Sequence, residues 1–588
     1  MKKISLLVFC FREVYKNGTA FFWLFILKTL LSTVRLYLSA WLSRLLINEL
    51  AAGIGAHSIT STLIILALII ILVEVFFAFF NLGMDYFSEI SATKYSNQFN
   101  IKNSKKCSRL KYQFHDSPSD KDELKQFWAD GASVVNIYCQ TITIVFTIAS
   151  FVTSLFISLS FSVSITVLSL IIAIPGFFVR KYNKNADYEF EKQINLTDRI
   201  IGYYKSVCTA KTFYKETHLF NTLHYFFDLL KEKMNERISK RKKLSKSKTF
   251  REAVLVLVYS FVNIVVNLQI ILFIILKKLT IGDYTYYTSI INNLKNNTDT
   301  IANSFSAFFL SLKKVENYYI FFYSTENEYI YGSQPMPKKI ESIEFSNVWF
   351  CYPHSREYVI KDVSFYIKNG EKIAFAGLNG AGKTTIINLL LRFYEPTNGT
   401  IKINGKDVRQ FDLNEYWKVF SSMFQHSNLY SISLRENLLL GCLNKKNIID
   451  DILLCDLLNN MGINIDVDMM DLPVSKQFYE NGLIFSPGQA QKLNVVRTLL
   501  SESQVLILDE PSSAMDVLSE DLILESAFSF SKDKILFFIS HRLSNLKKVD
   551  KIFFLNEGRI EESGSHEELM SKKSVYFQLY SKQLNKYM

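Results

Sequence analysis

The stretch from Ile373 to Thr385 constrains the fold of this chain more than any other. The four residues Ile373 to Ala376 are apolar and predict a short buried strand. The loop Gly377–Thr384 follows with the pattern G-x-x-x-x-G-K-T, and the mostly apolar run Ile386–Leu391 predicts a helix. Glycines let the backbone turn tightly and direct its N–H groups at phosphate oxygens, and a helix start adds partial positive charge. The stretch therefore predicts a phosphate-binding loop inside an α/β domain.

The side chains of this loop have separate predicted roles at a nucleoside triphosphate. Lys383 reaches the β- and γ-phosphates, and the Thr384 hydroxyl is a ligand for Mg²⁺. A glycine-rich turn that binds nothing would have to match the glycines, the lysine, the hydroxyl and the strand–helix context by chance. The full set of nucleotide-binding candidates in the loop is Gly377, Asn379, Gly380, Gly382, Lys383, Thr384 and Thr385.

A second apolar strand ends in two carboxylates. Val505 to Leu508 has the composition of a strand buried on both faces, and Asp509 and Glu510 follow it. Such acids also end ordinary strands, but the phosphate-binding loop lies upstream here. We therefore expect Asp509 to hold Mg²⁺ and Glu510 to orient the attacking water.

The first half of the 588-residue chain predicts a membrane domain. It contains six long apolar runs, and each is about as long as a helix that crosses ~30 Å of hydrocarbon. A soluble helical protein would need apolar helices of this length repeatedly. The predicted spans are Phe21–Leu46, Ile64–Leu82, Ile137–Leu159, Val163–Phe178, Val254–Leu276 and the more polar Tyr284–Phe309.

The positive charges predict how these spans are oriented. Lys and Arg are concentrated between spans two and three and between spans four and five, so both connections and both termini are expected in the cytoplasm. The connections are long and predict helical extensions of the spans, with breaks near residues 114–120 and 207–216. Because Lys and Arg flank long apolar runs, the formal charge of +12 indicates binding to an anionic membrane surface rather than to nucleic acid. Seven scattered cysteines predict neither disulfides nor a metal site.

The composition changes after the last span. We predict a membrane domain over residues 1–320, a linker over 321–339 and an α/β domain over 340–588, because strand and helix patterns alternate from Ile340 onward. Tyr352 follows a predicted strand, and its ring is a candidate to stack on adenine. A core or surface tyrosine is the alternative there.

Further motifs in the second half resemble those of one family. Phe485–Lys492 resembles the L-S-G-G-Q signature of ATP-binding cassette (ABC) proteins, and Phe424-Gln425 resembles the Q-loop. Ser513–Asp516 resembles the D-loop, and Ile539–Arg542 contains the switch histidine. The layout of the whole chain is similar to an exporter-type half-transporter, which is a six-helix membrane domain followed by one ATPase domain. In that family the two breaks are coupling helices that contact the ATPase domain.

The resemblance implies a composite ATP site between two ATPase domains that meet head to tail. The P-loop, Tyr352 and Asp509 would come from one chain, and the signature would come from a partner chain, expected to be a second copy. Pro487 replaces the usual glycine of the signature, which leaves a heterodimer as the alternative. Ser486 is expected to cap a helix with Pro487 at its first position. The implied catalytic residues are Glu510, His541 and Gln425, the metal ligands are Thr384, Gln425 and Asp509, and the remaining ATP contacts are Ser486, Gly488, Gln489 and Asp516.

Three short segments look most like peptidase-free exporters of lantibiotics and other ribosomal peptides. They are Leu434–Leu438, Lys215–Asn221 and Gln489–Leu493. The expected substrate is therefore a modified peptide, and peptide-modification enzymes are expected as further partners. Drug or lipid export is the first alternative, and a membrane protein that regulates a partner without transport is the second.

Polar residues inside the predicted spans indicate where a substrate passes. Intramembrane polar groups are costly and usually face a bundle interior or a hydrated cavity. Lys295 stands four residues before Asp299 and is expected to pair with it, while Asn303 continues the same helical face. Residues below the bilayer or snorkelling to its surface are the alternative. The candidate cavity residues are Lys28, Arg35, Glu74, Asn292, Asn296 and Asp299.

Overall fold

The computed structural model describes most of the chain as two compact units. Described are residues 3–56, 61–115, 118–276, 278–353, 355–425, 427–445, 449–511, 517–540 and 542–587. The first unit comprises Met1–Ser108 and Asp122–Ser324, and the second comprises Arg109–Lys121 and Thr325–Met588. A short segment from the first half of the sequence thus belongs to the second unit.

Long helices make up the first unit. The N-terminal helix α1 is short, and most of the others far exceed the length needed to cross a membrane. Their bounds are α1 Lys3–Asn17, α2 Thr19–Ala56, α3 Ser61–Cys107, α4 Pro118–Gly131, α5 Ser133–Phe161, α6 Val163–Thr209, α7 Lys211–Leu219, α8 Leu223–Ile275 and α9 Ile281–Tyr323.

Four helical segments of the described residues are long and apolar enough to cross a membrane. They are Thr19–Ile54, Ser61–Cys107, Asp120–Phe161 and Leu223–Ile275. Large apolar side chains such as Leu72 and Leu257 are exposed on them, as expected where lipid tails replace water. The fourth and sixth predicted spans lie within α6 and α9, so the total of six spans stays a prediction.

The two long extensions break close to the predicted places. A 3₁₀ turn at Tyr112–His115 precedes α4. The second break is the short helix α7, Lys211–Leu219, which begins four residues later than the predicted 207–216 region. Only Ser162 separates α5 from α6, and its backbone is extended there.

The second unit contains two sheets. A six-stranded sheet has the order β10-β9-β3-β8-β7-β6, and its five strands from β9 to β6 run parallel. A four-stranded antiparallel sheet has the order β2-β1-β4-β5. The strands are β1 Ser342–Cys351, β2 Tyr358–Lys368, β3 Lys372–Gly377, β4 Asn398–Ile403, β5 Lys406–Asp407, β6 Phe420–Met423, β7 Val505–Asp509, β8 Ile535–Ile539, β9 Lys551–Asn556 and β10 Arg559–Gly564.

Helices connect the strands and pack against the parallel sheet. They are α10 Lys383–Leu390, α11 Leu413–Lys418, α12 Leu434–Leu438, α13 Asp451–Asn460, α14 Pro487–Leu500, α15 Val517–Phe530, α16 His566–Lys572 and α17 Val575–Tyr587. Strands β7 and β8 are buried along their whole length, which agrees with their almost purely apolar sequences. This apolar core fixes the carboxyl edge of the sheet, where the polar loops begin.

Candidate active site

Polar loops leave the carboxyl ends of parallel strands of the six-stranded sheet. The phosphate-binding loop follows β3, Gln425 follows β6 and Glu510 follows β7. Asp509 is the last residue of β7 and pairs with Ile539, the last residue of β8. Because the carboxyl ends of parallel strands share one edge, residues far apart in sequence gather at a single site.

The phosphate-binding loop has the backbone that its glycines predict. Gly377 has φ 143° and Gly382 has φ 100°, both in the region that favours glycine. A Cβ atom on Gly377 would lie 2.2 Å from the carbonyl oxygen of Leu555, so no side chain fits there. Helix α10 begins at Lys383 and directs its N-terminus into the loop.

Lys383 is held inside this loop. Its Nζ donates hydrogen bonds to the carbonyl oxygens of Gly377 and Leu378, each at 2.9 Å. The side chain is 6% exposed, and burial lowers the pKa of its ammonium group. A buried, oriented cation at a helix N-terminus favours a polyanion such as a triphosphate.

The Thr384 hydroxyl and the Asp509 carboxylate meet as an oxygen pair. Thr384 Oγ1 donates to Asp509 Oδ2 at 3.1 Å, while Asp509 Oδ1 is buried without a hydrogen-bond partner. Burial, together with the negative charge of Glu510, raises the pKa of Asp509 to about 6, against the opposing effects of the Thr384 hydrogen bond and the Lys383 charge. A hydroxyl oxygen beside a carboxylate with a free oxygen fits the ligand preference of Mg²⁺.

Glu510 and Gln425 form a second pair at the same edge. Gln425 Nε2 donates to Glu510 Oε2 at 2.9 Å. Glu510 has φ 52°, an uncommon conformation for a residue with a side chain, and its N–H donates to the carbonyl oxygen of Ile539 at 3.0 Å. The backbone of β8 therefore holds Glu510 at the strand end. Gln425, expected as both a metal ligand and a catalytic group, contacts the Glu510 carboxylate in this structure.

Tyr352 follows β1, as predicted, and lies beside the phosphate-binding loop. Its hydroxyl is 2.9 Å from Thr385 Oγ1. Its ring packs edge-on against Tyr394, with centroids 5.2 Å apart. Asn379 and Gly380 form the exposed tip of the loop. Thr385 thus helps to position Tyr352, and no local sequence pattern predicts this contact.

The predicted signature begins helix α14. Ser486 is the N-cap residue: its hydroxyl accepts from the Gln489 N–H at 3.2 Å, and Gln489 Oε1 accepts from the Ser486 N–H at 3.0 Å. Pro487 occupies the first helical position, so the predicted cap is confirmed. Gly488 follows within the same turn. Asp516 and His541 lie outside the described residues.

A cavity of about 740 Å³ lies among the helices of the first unit. Hydroxyl and amide side chains from α2, α3, α5 and α9 line most of it, together with the ion pair between Arg35 and Glu74, whose nitrogen and oxygen are 2.5 Å apart. Of the predicted cavity residues, Arg35, Glu74 and Asn292 line this space. Among the lining residues that the sequence analysis missed are Thr33, Ser43, Asn81, Thr147, Asn293 and Asn297.

Three of the predicted cavity residues, Lys28, Asn296 and Asp299, do not line this cavity. Lys28 forms an ion pair with Asp85 of α3. Asn296 is exposed outside the lining, because its neighbour Asn297 takes the inward position and donates to Ser150 Oγ at 2.9 Å. The spacing of the amides identified the helix correctly but missed this inward position by one residue.

The expected pair of Lys295 with Asp299 is wrong. Asp299 forms its ion pair with Arg180 of α6 instead. Lys295 lies over the ring of Tyr259, with Nζ 4.5 Å from the ring centroid. A guanidinium from a neighbouring helix thus replaces the local i,i+4 partner, and sequence spacing within one helix gives no sign of such a contact.

Three comparisons with known proteins agree with this site and fold. The sequence profile of the ABC transporter family matches residues 360–513. The subtilin transport ATP-binding protein SpaT of Bacillus subtilis is 27% identical over 515 residues, which are 84% of this chain and 83% of that protein. A Staphylococcus aureus protein named as a multidrug export ATP-binding/permease protein is 34% identical over 254 residues, which are 42% of this chain and 43% of its own length. A solved bacterial Atm1-family ABC exporter with ATP bound shares the fold at a TM-score of 0.73 and 18% identity, over 95% of this chain and 99% of that one.

Fold and site together define a membrane-bound, nucleotide-binding ATPase. Residues 360–513 match the ABC transporter family, and the chain has the fold of an ABC exporter, with a helical membrane domain followed by one α/β ATPase domain.

The raised pKa of Asp509 predicts a distinctive pH dependence of ATP binding in EDTA. Above about pH 6 the ionised carboxylate repels the triphosphate, so Asp509→Asn should bind ATP several-fold more tightly than wild type. Below about pH 6 the wild-type carboxyl is protonated and the two affinities should converge. The titration of ATP itself is common to both proteins and cancels in the ratio of dissociation constants. A ratio that stays constant down to about pH 5 would show that the carboxyl has an ordinary pKa.

Replacing Glu510 by Gln should separate ATP binding from hydrolysis. The variant keeps the shape of the side chain and a contact with Gln425 but loses the carboxylate. ATP affinity should stay within about twofold, while turnover should fall by roughly 10²–10⁴, as for the loss of a positioned base. Glu502→Gln, an exposed carboxylate before β7, is the matched control and should hydrolyse ATP normally. Near-normal turnover of Glu510→Gln would assign the role to another group.

Proposed function

We propose that the protein exports a ribosomally made, modified peptide across the cytoplasmic membrane by ATP-driven alternating access. The observation that carries this proposal is the polar, overall neutral cavity among α2, α3, α5 and α9. The 27% identity with the subtilin transport protein over most of both chains supports it.

The ATPase residues would act as follows. Tyr352 stacks on the base, the P-loop N–H groups and Lys383 hold the phosphates, and Glu510 orients the water for attack on the γ-phosphate. Gln425 holds the Glu510 carboxylate, and His541 contacts the γ-phosphate. Mg²⁺, when bound to Thr384 and Asp509, neutralises charge on the phosphate oxygens.

The cavity favours a peptide over a lipophilic cation. The acid that lines it, Glu74, is already paired with Arg35, so the ion pair offers no net negative charge to a cationic drug. The hydroxyl and amide groups both donate and accept hydrogen bonds, as a peptide backbone requires. A cavity of about 740 Å³ holds a short peptide segment rather than a whole modified peptide.

We propose a homodimer in the cytoplasmic membrane, with six spans per chain and both termini in the cytoplasm. Within this chain, the side chains of Ser486 and Gln489 each accept a hydrogen bond from the other residue's backbone N–H and cap α14, and the start of this helix would contact a partner's triphosphate. The tip of α7 carries the exposed apolar residues Leu219 and Phe220, which fit a docking contact with an ATPase domain. A heterodimer stays the alternative because of Pro487.

Drug or lipid export is the second candidate. It is supported by the Staphylococcus aureus relative, but that likeness covers 42% of this chain. The two candidates require different cavities, because a lipophilic cation is favoured by apolar walls and an unpaired acid whereas a peptide is favoured by hydrogen-bonding groups.

Uptake into inverted membrane vesicles separates the candidates. We expect ATP-dependent uptake of a labelled lanthionine peptide, no uptake of a lipophilic cationic dye, and loss of uptake in Glu510→Gln. Asn297→Leu should reduce peptide uptake several-fold while leaving the basal ATPase rate intact, because it removes a cavity amide. Asn303→Leu, an exposed amide on the same helix outside the cavity lining, is the matched control. Dye uptake without peptide uptake would favour the second candidate, and ATPase activity with uptake of neither would favour a regulator.

A further inference from the structure

The segment of residues 109–115, which connects α3 to α4, is bound into the ATPase unit by its backbone. The Lys111 N–H donates to the Asn327 carbonyl oxygen at 2.8 Å, and the Tyr329 N–H donates to the Arg109 carbonyl oxygen at 3.2 Å. The Tyr112 N–H also donates to the Tyr329 hydroxyl at 2.9 Å. These bonds fix the position at which the Tyr112 side chain projects.

Tyr112 begins a continuous chain of aromatic rings. Its ring stacks on Phe393, with centroids 5.3 Å apart, and meets Tyr394 edge-on at 5.7 Å. Tyr394 in turn meets Tyr352 edge-on at 5.2 Å. Such arrangements are favourable geometries for aromatic pairs. Tyr394 is 4% exposed, so a displacement of the Tyr352 ring is transmitted to neighbouring rings rather than to solvent.

The rings have room to move. A cavity of about 380 Å³ lies beside these rings, and its lining includes Tyr352, Tyr394 and, from the 109–115 segment, Lys111 and Gln113. Packed rings next to free volume can occupy more than one arrangement, whereas the same rings in a filled core could not.

We propose that Tyr112 and Tyr394 are positioning residues through which the 109–115 segment senses the base of the bound nucleotide. The inference rests on the proposed stacking of the base on Tyr352. A base that stacks on Tyr352 favours one orientation of that ring, and the Tyr394 ring shifts with it. The contact between Tyr394 and Tyr112 then displaces the 109–115 segment, which begins two residues after the end of α3. By linkage, the position of the segment also sets the affinity for the base.

A double-mutant cycle in the full-length protein tests this coupling. The variants are Tyr112→Leu, Tyr352→Leu and the double variant, and the readouts are the dissociation constants of ATP and of inorganic tripolyphosphate, which lacks the base. Tyr352→Leu and Tyr112→Leu should each weaken ATP binding about three- to tenfold and leave tripolyphosphate binding unchanged. The double variant should bind ATP like Tyr352→Leu alone, since Tyr112 acts on the base only through the Tyr352 ring, which that substitution removes. Tyr112→Phe keeps the ring and should restore the wild-type affinity.

Each other outcome overturns the proposal in a distinct way. If the two effects multiply in the double variant, or if Tyr112→Leu has no effect, Tyr112 is not coupled to the base. If Tyr112→Leu weakens tripolyphosphate binding equally, it acts on the phosphate site or on folding. If Tyr352→Leu leaves ATP affinity unchanged, the base-stacking role itself fails, and the sensing role fails with it.

A second readout follows movement of the segment directly. Gln113→Cys, in a background without the seven native cysteines, should react with a water-soluble maleimide at a rate that ATP changes several-fold and tripolyphosphate does not. The response should be lost in the Tyr112→Leu background. Equal responses to ATP and tripolyphosphate would show that the segment follows the phosphates rather than the base.

Discussion

The buried carboxylate of Asp509 is the group on which the organisation of the ATPase unit depends. Taking a carboxylate out of water is costly unless its oxygens find partners, and here Thr384 satisfies one oxygen while the other has none. The cost is tolerated because β6 and β8, which pair with β7 on either side, hold the residue at the sheet edge. Strands β3, β6 and β7 bring Lys383, Gln425 and Glu510 to that edge, so the site is a direct consequence of the parallel sheet.

In the membrane unit, the cost of burying polar groups also governs where they lie, but lipid replaces water around the helices. Its helices expose large apolar side chains, as expected against lipid, while hydroxyl, amide and charged groups from four of them line the cavity. Arg35 with Glu74 and Arg180 with Asp299 are ion pairs between helices. Pairing of this kind lowers the cost of intramembrane charge and leaves a cavity lining of low net charge.

The sequence predicted what local patterns determine. The P-loop strand and helix, the strand that ends at Asp509 and the Ser486 cap were all found, because glycine positions, apolar runs and capping residues act over a few neighbours. Contacts between distant segments were missed. Asp299 pairs with Arg180 rather than Lys295, Asn297 replaces Asn296 at the cavity, and Tyr112 reaches Tyr394 across more than 280 residues of sequence, since tertiary packing alone selects these partners.

A complementation experiment with two inactive chains tests the central claim, a composite ATP site, most directly. Lys383→Ala removes the phosphate contact of one chain, and Gly488→Arg blocks the signature of the other while keeping the Ser486–Gln489 cap. Each homodimer should be inactive. In the doubly tagged heterodimer, the intact P-loop of one chain meets the intact signature of its partner, so ATPase activity up to about half of wild type should return. A purified heterodimer as inactive as both parents would contradict a site shared between two chains.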